Sequence, residues 1–287
     1  MFKKAAVAIM CSAMLTASLA SCGQKNISIS DSSSNAAQST TSATKSNANE
    51  PFGTEVCNYT APEEGETVII MTIKDYGDVK IKLFPEYAEK GVENFRTLAE
   101  QGYYDNLTFH RIINNFMIQG GDPLGTGRGG ESIWGAKFDG GTDSHLIHTA
   151  GAVAYANSGS TATNGSQFYI VTGQKYPESQ FAANYPEAAK KAYMKAGGTP
   201  YLDGKYTVFG QVYDGLDIVF KLQQVETDSN DKPVTPVVIE SMKVAKYDGG
   251  ALRWYIEDYS DTASSSEAST QAKTEASTQP ETETVSE

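Results

Sequence analysis

The sequence predicts a mainly β domain, a closed antiparallel barrel capped by two helices, set between two polar ends that are not globular. Three observations predict it. Short runs rich in β-branched and aromatic residues recur from Val68 to Ala245, glycines cluster in the turns between them, and only two segments outside a later insertion carry a helical apolar period. Hydrophobic residues make up 39% of the 287, but they are unevenly spread, and residues 23–58 and 260–287 are almost free of large apolar side chains.

The first two runs, Val68–Ile73 and Val79–Phe84, are joined by a turn containing Asp75, Gly77 and Asp78, the signature of a hairpin. In the second run Lys80 and Lys82 alternate with Val79, Ile81 and Leu83, which predicts a sheet with one wet face. Pro85 opens a helical segment in which Val92, Phe95, Leu98 and Ala99 share a stripe, ending at Gly102. Strands are expected over 107–113, 116–119, 152–156, 167–172, 207–212 and 237–245, with a short helix over 216–225. Between Thr172 and Tyr201 an Ala-, Lys- and Tyr-rich stretch from Tyr185 to Tyr193 reads as an inserted helix. It either shapes access to a site or decorates the barrel, and decoration is the simpler reading because surface insertions cost little.

The N-terminal end has the layout of an export signal: Lys3 and Lys4, an apolar run from Ala5 to Leu19, then small residues. The run is too short to span a bilayer. Leu19-Ala20-Ser21-Cys22 resembles the bacterial lipobox, so residues 1–21 are expected to be removed and Cys22 acylated. Such an anchor holds a protein on the outer face of the cytoplasmic membrane or cell envelope without spanning it. Residues 22–58, dominated by Ser, Thr, Asn, Ala and Gln, offer too little burial to offset their ordering entropy and read as a disordered tether. The same argument makes 251–287 a C-terminal extension with an acidic, disordered tail, leaving 59–250 as the folded domain.

With Cys11 in the signal and Cys22 acylated, Cys57 is the one free thiol expected, and no disulfide can form. A net charge of −12 argues against nucleic acid as a partner, since phosphate binding wants a basic face.

Three stretches carry the chemistry. FHRIINNFMIQGGD from Phe109 to Asp122, NGSQFYI from Asn164 to Ile170, and YLDGKYTVFGQV from Tyr201 to Val212 resemble, in order, three signatures of the cyclophilin family of peptidyl-prolyl cis/trans isomerases. The resemblance covers about residues 59–250. It implies an eight-stranded barrel with its groove outside and a reaction on proline-containing polypeptides that needs neither cofactor nor covalent intermediate; no metal is expected, and a monomer is.

By motif position the resemblance makes Arg111 the catalytic arginine. A guanidinium aimed at the prolyl nitrogen can hydrogen-bond the lone pair that appears as the amide twists, and it stays charged at physiological pH. Phe116, Met117, Tyr169 and Leu202 are implied to line the proline slot. His110, Gln119, Gly127, Ala156, Asn157, Ser158, Gln167 and Tyr206 are implied to form its polar rim, the 156–158 stretch pairing with the peptide like an added strand. The chain departs from the eukaryotic pattern in having Tyr169 for phenylalanine, and Tyr201 and Tyr206 where tryptophan and histidine are common.

The expected function is therefore assistance to the folding of exported or surface proteins. A proline-segment binding module or chaperone with little turnover is the alternative, and Arg111 discriminates, because a pure binder needs no charge at the prolyl nitrogen. Other chemistries lack their context. Gly125, Gly127, Gly129 and Gly130 are not followed by a Lys-Ser/Thr, His110, His145 and His148 lack metal-ligand spacing, and Ser166 has no nucleophile elbow.

Overall fold

The computed structural model describes residues 51–260. The expected export signal, Cys22, most of the expected tether and the acidic tail lie outside the described residues.

Eight strands form one antiparallel sheet: β1 (Thr67–Ile73), β2 (Gly77–Leu83), β3 (Arg111–Ile113), β4 (Met117–Gly120), β5 (Ala152–Tyr155), β6 (Phe168–Val171), β7 (Val208–Asp214) and β8 (Ile239–Lys246). Their spatial order is β3-β4-β6-β5-β7-β2-β1-β8. Helix α1 (Glu89–Glu100) buries Val92, Phe95, Leu98 and Ala99, the stripe the sequence shows. Phe95 stacks among Tyr104, Phe168 and Phe209, with ring centroids 4.8–5.1 Å apart, tying α1 to the concave face of the sheet. The inserted helix α2 (Glu187–Ala196) and the short α3 (Leu216–Leu222) complete three helices among the described residues.

The sheet is an open half-barrel, which corrects the expected closed barrel. Its end strands β3 and β8 do not pair, and only an isolated bridge, Thr108 to Val238, joins the segments leading into them. The physical cause is a break in the expected 107–113 strand. Leu107 and Phe109 bond to Ile239 and Val237, whereas Arg111–Ile113 turn to β4. The outer edge of β3 is then covered by a turn, Ile112 N–H donating to the Asp231 carbonyl at 2.8 Å.

Two other expectations change. Lys82 is 4% exposed, so the expected wet face of β2 is covered at that position, while Lys80 stays about one-third exposed: the Lys82 ammonium donates to the Ala61 carbonyl and pairs with Glu66, both at 3.2 Å. The packed domain also exceeds 59–250. Asn58 is fully buried, its amide donating to the Ile147 carbonyl and Gln211 and its oxygen accepting from Ile147 N–H. At the other end Trp254 packs with Tyr213, Tyr247 and Tyr59, and Arg253 pairs with Asp214 at 2.7 Å.

Candidate active site

The site follows from strand periodicity. Across β3, β4, β6 and β5, Ile112, Ile118, Ile170 and Val153 are register partners and all enter the main core. Side chains alternate along a strand, so the neighbouring row Arg111, Gln119, Tyr169 and Ala154 must face the other way. One residue further, Ile113, Met117 and Val171 share that face. Together with Phe84, Leu146, Ala152, Leu202 and Val208 they build a second apolar cluster on the sheet's outside.

A slot of about 160 Å³ opens at its edge, lined by Arg111, Phe116, Met117, Gln119, Ala156, Asn157, Tyr169, Leu202 and Tyr206. Met117, Tyr169 and Leu202 are buried, whereas Phe116 is half-buried and stacks on the exposed Tyr201 with centroids 6.3 Å apart. Phe116 reaches this position from the tight β3–β4 turn, where Asn115 takes a left-handed φ of 57° that asparagine tolerates. Tyr169 and Tyr206 meet edge to face at 5.9 Å. Among the described residues the Tyr169 hydroxyl has no hydrogen-bond partner, and burial holds its pKa well above the ordinary tyrosine range.

Arg111 stands at the lip. Its Nε donates to Asp231 Oδ2 at 3.2 Å, both side chains about two-fifths exposed, and among the described residues its Nη groups have no partner. Beside it His110 is buried, and among the described residues neither of its ring nitrogens is hydrogen-bonded. Burial lowers its pKa against the opposing pull of Asp122, with Arg111 and Lys232 adding to the lowering, which favours the neutral imidazole beside Arg111.

The rim residues lie alongside. Gln119 Nε2 donates to Gln167 Oε1 at 2.9 Å, and Gln167 Nε2 to the Gly129 carbonyl at 2.8 Å. Past the end of β5, the main-chain N–H and C=O of Asn157 make no hydrogen bond among the described residues. Its side chain secures the loop instead, through the Lys205 carbonyl and Gly159 N–H. Gly127, Ser158 and Gln167 line not the slot but an adjoining cavity of about 340 Å³, which shares Gln119, Ala156 and Asn157 with it.

That cavity's wall is the loop after β4. Asp122 Oδ2 accepts from the backbone N–H groups of Thr126, Gly127 and Arg128, and Oδ1 from Leu124. Burial alone would raise the carboxyl's pKa, but these donors outweigh it and hold it below the usual range. Gly130 needs to be glycine, because at φ 91° a Cβ would sit 2.1 Å from Ser166 Oγ.

Sequence reasoning missed Asp231, Arg128 and Lys137. Asp231 approaches Arg111 from a turn 120 residues away, with no local signal. Arg128 and Lys137 line the adjoining cavity, none of whose lining residues is acidic, and their charges had no assigned place in the chain.

Comparison with known proteins gives a consistent result. The family model for cyclophilin type peptidyl-prolyl cis-trans isomerases/CLD matches residues 68–244. A Staphylococcus aureus (strain USA300) protein with a provisional peptidyl-prolyl cis-trans isomerase name is 47% identical over 186 residues, 63% of this chain and 93% of the relative. A Staphylococcus haemolyticus (strain JCSC1435) protein named in the same way is 49% identical over 172 residues, 58% of this chain and 86% of its own. The crystal structure of a Cryptosporidium parvum cyclophilin type peptidyl-prolyl cis-trans isomerase in the presence of the dipeptide Ala-Pro is 32% identical. It matches with a TM-score of 0.52 over 63% of this chain and 99% of that one.

Proposed function

The chain belongs to the cyclophilin-type peptidyl-prolyl cis/trans isomerase family and is an enzyme of that class, and on that premise we propose that Arg111 and the slot beside it isomerise prolyl bonds in exported proteins. The observation that carries this reading is the pairing of an apolar slot for a ring with one guanidinium at its lip, the terminal Nη groups uncommitted. A peptide bond resists rotation by roughly 18–20 kcal/mol because the nitrogen lone pair is delocalised into the carbonyl. Twisting returns that pair to nitrogen. A donor fixed where the pair appears binds the twisted state more strongly than either planar isomer, which is what lowers a barrier.

Phe116, Met117, Tyr169 and Leu202 take the proline ring out of water, and the open main chain of Asn157 pairs with the peptide as a short added strand. Gln119 and Gln167 brace the rim. The flanking residues of the substrate enter the adjoining cavity, where Arg128 and Lys137 favour acidic side chains.

Support for work on exported chains is the signal-like N-terminus and the lipobox-like Leu19–Cys22, with Cys22 as the acylated anchor to the membrane. The test is refolding of an exported protein limited by prolyl isomerisation, a phase lasting tens to hundreds of seconds uncatalysed. The full chain should shorten it and Arg111→Ala should not, while Cys22→Ser should leave the membrane fraction of expressing cells. An unchanged slow phase with folded wild-type protein, or membrane retention of Cys22→Ser, contradicts the respective half.

A further inference from the structure

Between β6 and the Pro200–Leu202 turn the chain inserts α2, which packs Ala189 and Tyr193 against Ile147. Apolar packing accounts for how α2 is held, but not for where its buried hydroxyl points. Tyr193 is fully buried, and its hydroxyl donates to Asp203 Oδ2 at 2.7 Å. The other carboxylate oxygen accepts at 2.9 Å from both the backbone N–H of His148 and its ring Nδ1. Because an ionised carboxylate only accepts, the shared proton sits on Nδ1 and fixes the imidazole's orientation.

That imidazole, 1% exposed, lies nearly parallel to the Tyr169 ring, 6.2 Å between centroids and 16° between planes. It meets Tyr206 edge-on at 6.3 Å. Asp203 also follows Leu202 directly in the chain. One carboxylate therefore sets three walls of the slot, two through His148 and one through the backbone. Among the described residues the Tyr169 hydroxyl has no hydrogen bond to hold its ring, so its place depends on these neighbours.

We propose that the 173–200 insertion serves the active site at one remove, with Tyr193, Asp203 and His148 as positioning residues that hold Tyr169, Leu202 and Tyr206 at the spacing a prolyl ring needs. The inference rests on the slot being the prolyl site. Slot walls touch the ring equally in the planar and twisted states, so loosening them weakens binding of both alike. The signature is a raised KM with kcat retained, the opposite of what losing Arg111 does.

The experiment measures kcat and KM on a short proline-containing peptide, together with thermal stability, for the full chain and for Arg111→Ala, Tyr193→Phe, Asp203→Asn and Lys191→Ala. Lys191 is exposed on the same helix and outside the relay, so its variant should match wild type. Tyr193→Phe keeps the packed ring and loses one hydrogen bond, which should raise KM about two- to tenfold with kcat within about twofold. Asp203→Asn, which disturbs both arms of the relay, should raise KM further and serves alone if Tyr193→Phe does not fold. A lower melting temperature with both kinetic constants unchanged would mean that the relay is structural only, and overturns the proposal; so does a fall in kcat at constant KM. Inactive wild type removes the prolyl reading itself, whereas active wild type with unchanged variants removes only this inference.

Discussion

Asp122 shows how one side chain shapes the site without touching a substrate. Its carboxylate gathers the N–H groups of Leu124, Thr126, Gly127 and Arg128 and so fixes the loop that walls the adjoining cavity. Because its folded pKa is depressed, the stability it adds is complete above the usual carboxylate range and is lost as pH falls through the folded value. Asp122→Asn, with one acceptor oxygen and no charge, should cost about 1–3 kcal/mol at neutral pH. Denaturant titrations should show that gap narrowing below about pH 4; a gap that stays constant with pH contradicts the assignment. At this scale the sequence was informative where a motif is contiguous in the chain, as with Arg111, Phe116, Met117 and Gln119 on the β3–β4 hairpin. Asp231 was not legible, because its contact with Arg111 depends on where a distant turn lands after the sheet has formed. Nor could alternation in β2 reveal that Lys82 would be covered, since a period of two says which residues share a face but not what lies over it.

Helix α1 and the β1–β2 hairpin match their patterns because each is decided by local periodicity and turn chemistry. The strand expected over 107–113 does not, because Leu107 and Phe109 bond to the segment before β8 while Arg111–Ile113 pair with β4, a change of partner that a run of strand-forming residues does not mark. The inserted helix α2 was visible in its composition, while its link to the slot runs through Asp203 and is a property of the fold. The segment before β1 is the clearest lesson. The tether expected over 22–58 takes in residues 51–58, yet these dock: Phe52 and Val56 pack on the cluster of Ile147, Ala189 and Tyr193, and backbone bonds run from Gly53 N–H to the Ser144 carbonyl and from Cys57 N–H to the His145 carbonyl, at 2.8 and 2.9 Å. Gly53 is required there because at φ 78° a Cβ would lie 2.3 Å from that of Ala189. Asn58 completes the docking by satisfying both the N–H and the C=O of Ile147. Asn58→Ala would orphan those buried groups, and thermal or denaturant unfolding should register a loss of about 2–3 kcal/mol. A change within about 0.5 kcal/mol would show that the segment is peripheral.

Over the whole molecule, the open sheet separates stability from function. Its concave face takes α1 and the aromatic core, while its convex face, built from the alternate residues of the same strands, carries the slot. A single register therefore decides both, and slipping any of β3, β4 or β6 by one residue would exchange core for site. The central claim is that Arg111 lowers the rotation barrier while the slot only holds the ring. Exchange spectroscopy on a short proline-containing peptide separates these roles, since it reports cis-to-trans interconversion and binding together. The account predicts that Arg111→Ala still binds the peptide but loses about 10²-fold or more in exchange rate, and that Arg111→Lys, a point charge without the planar fork, recovers little of it. Wild-type exchange in Arg111→Ala would contradict the account.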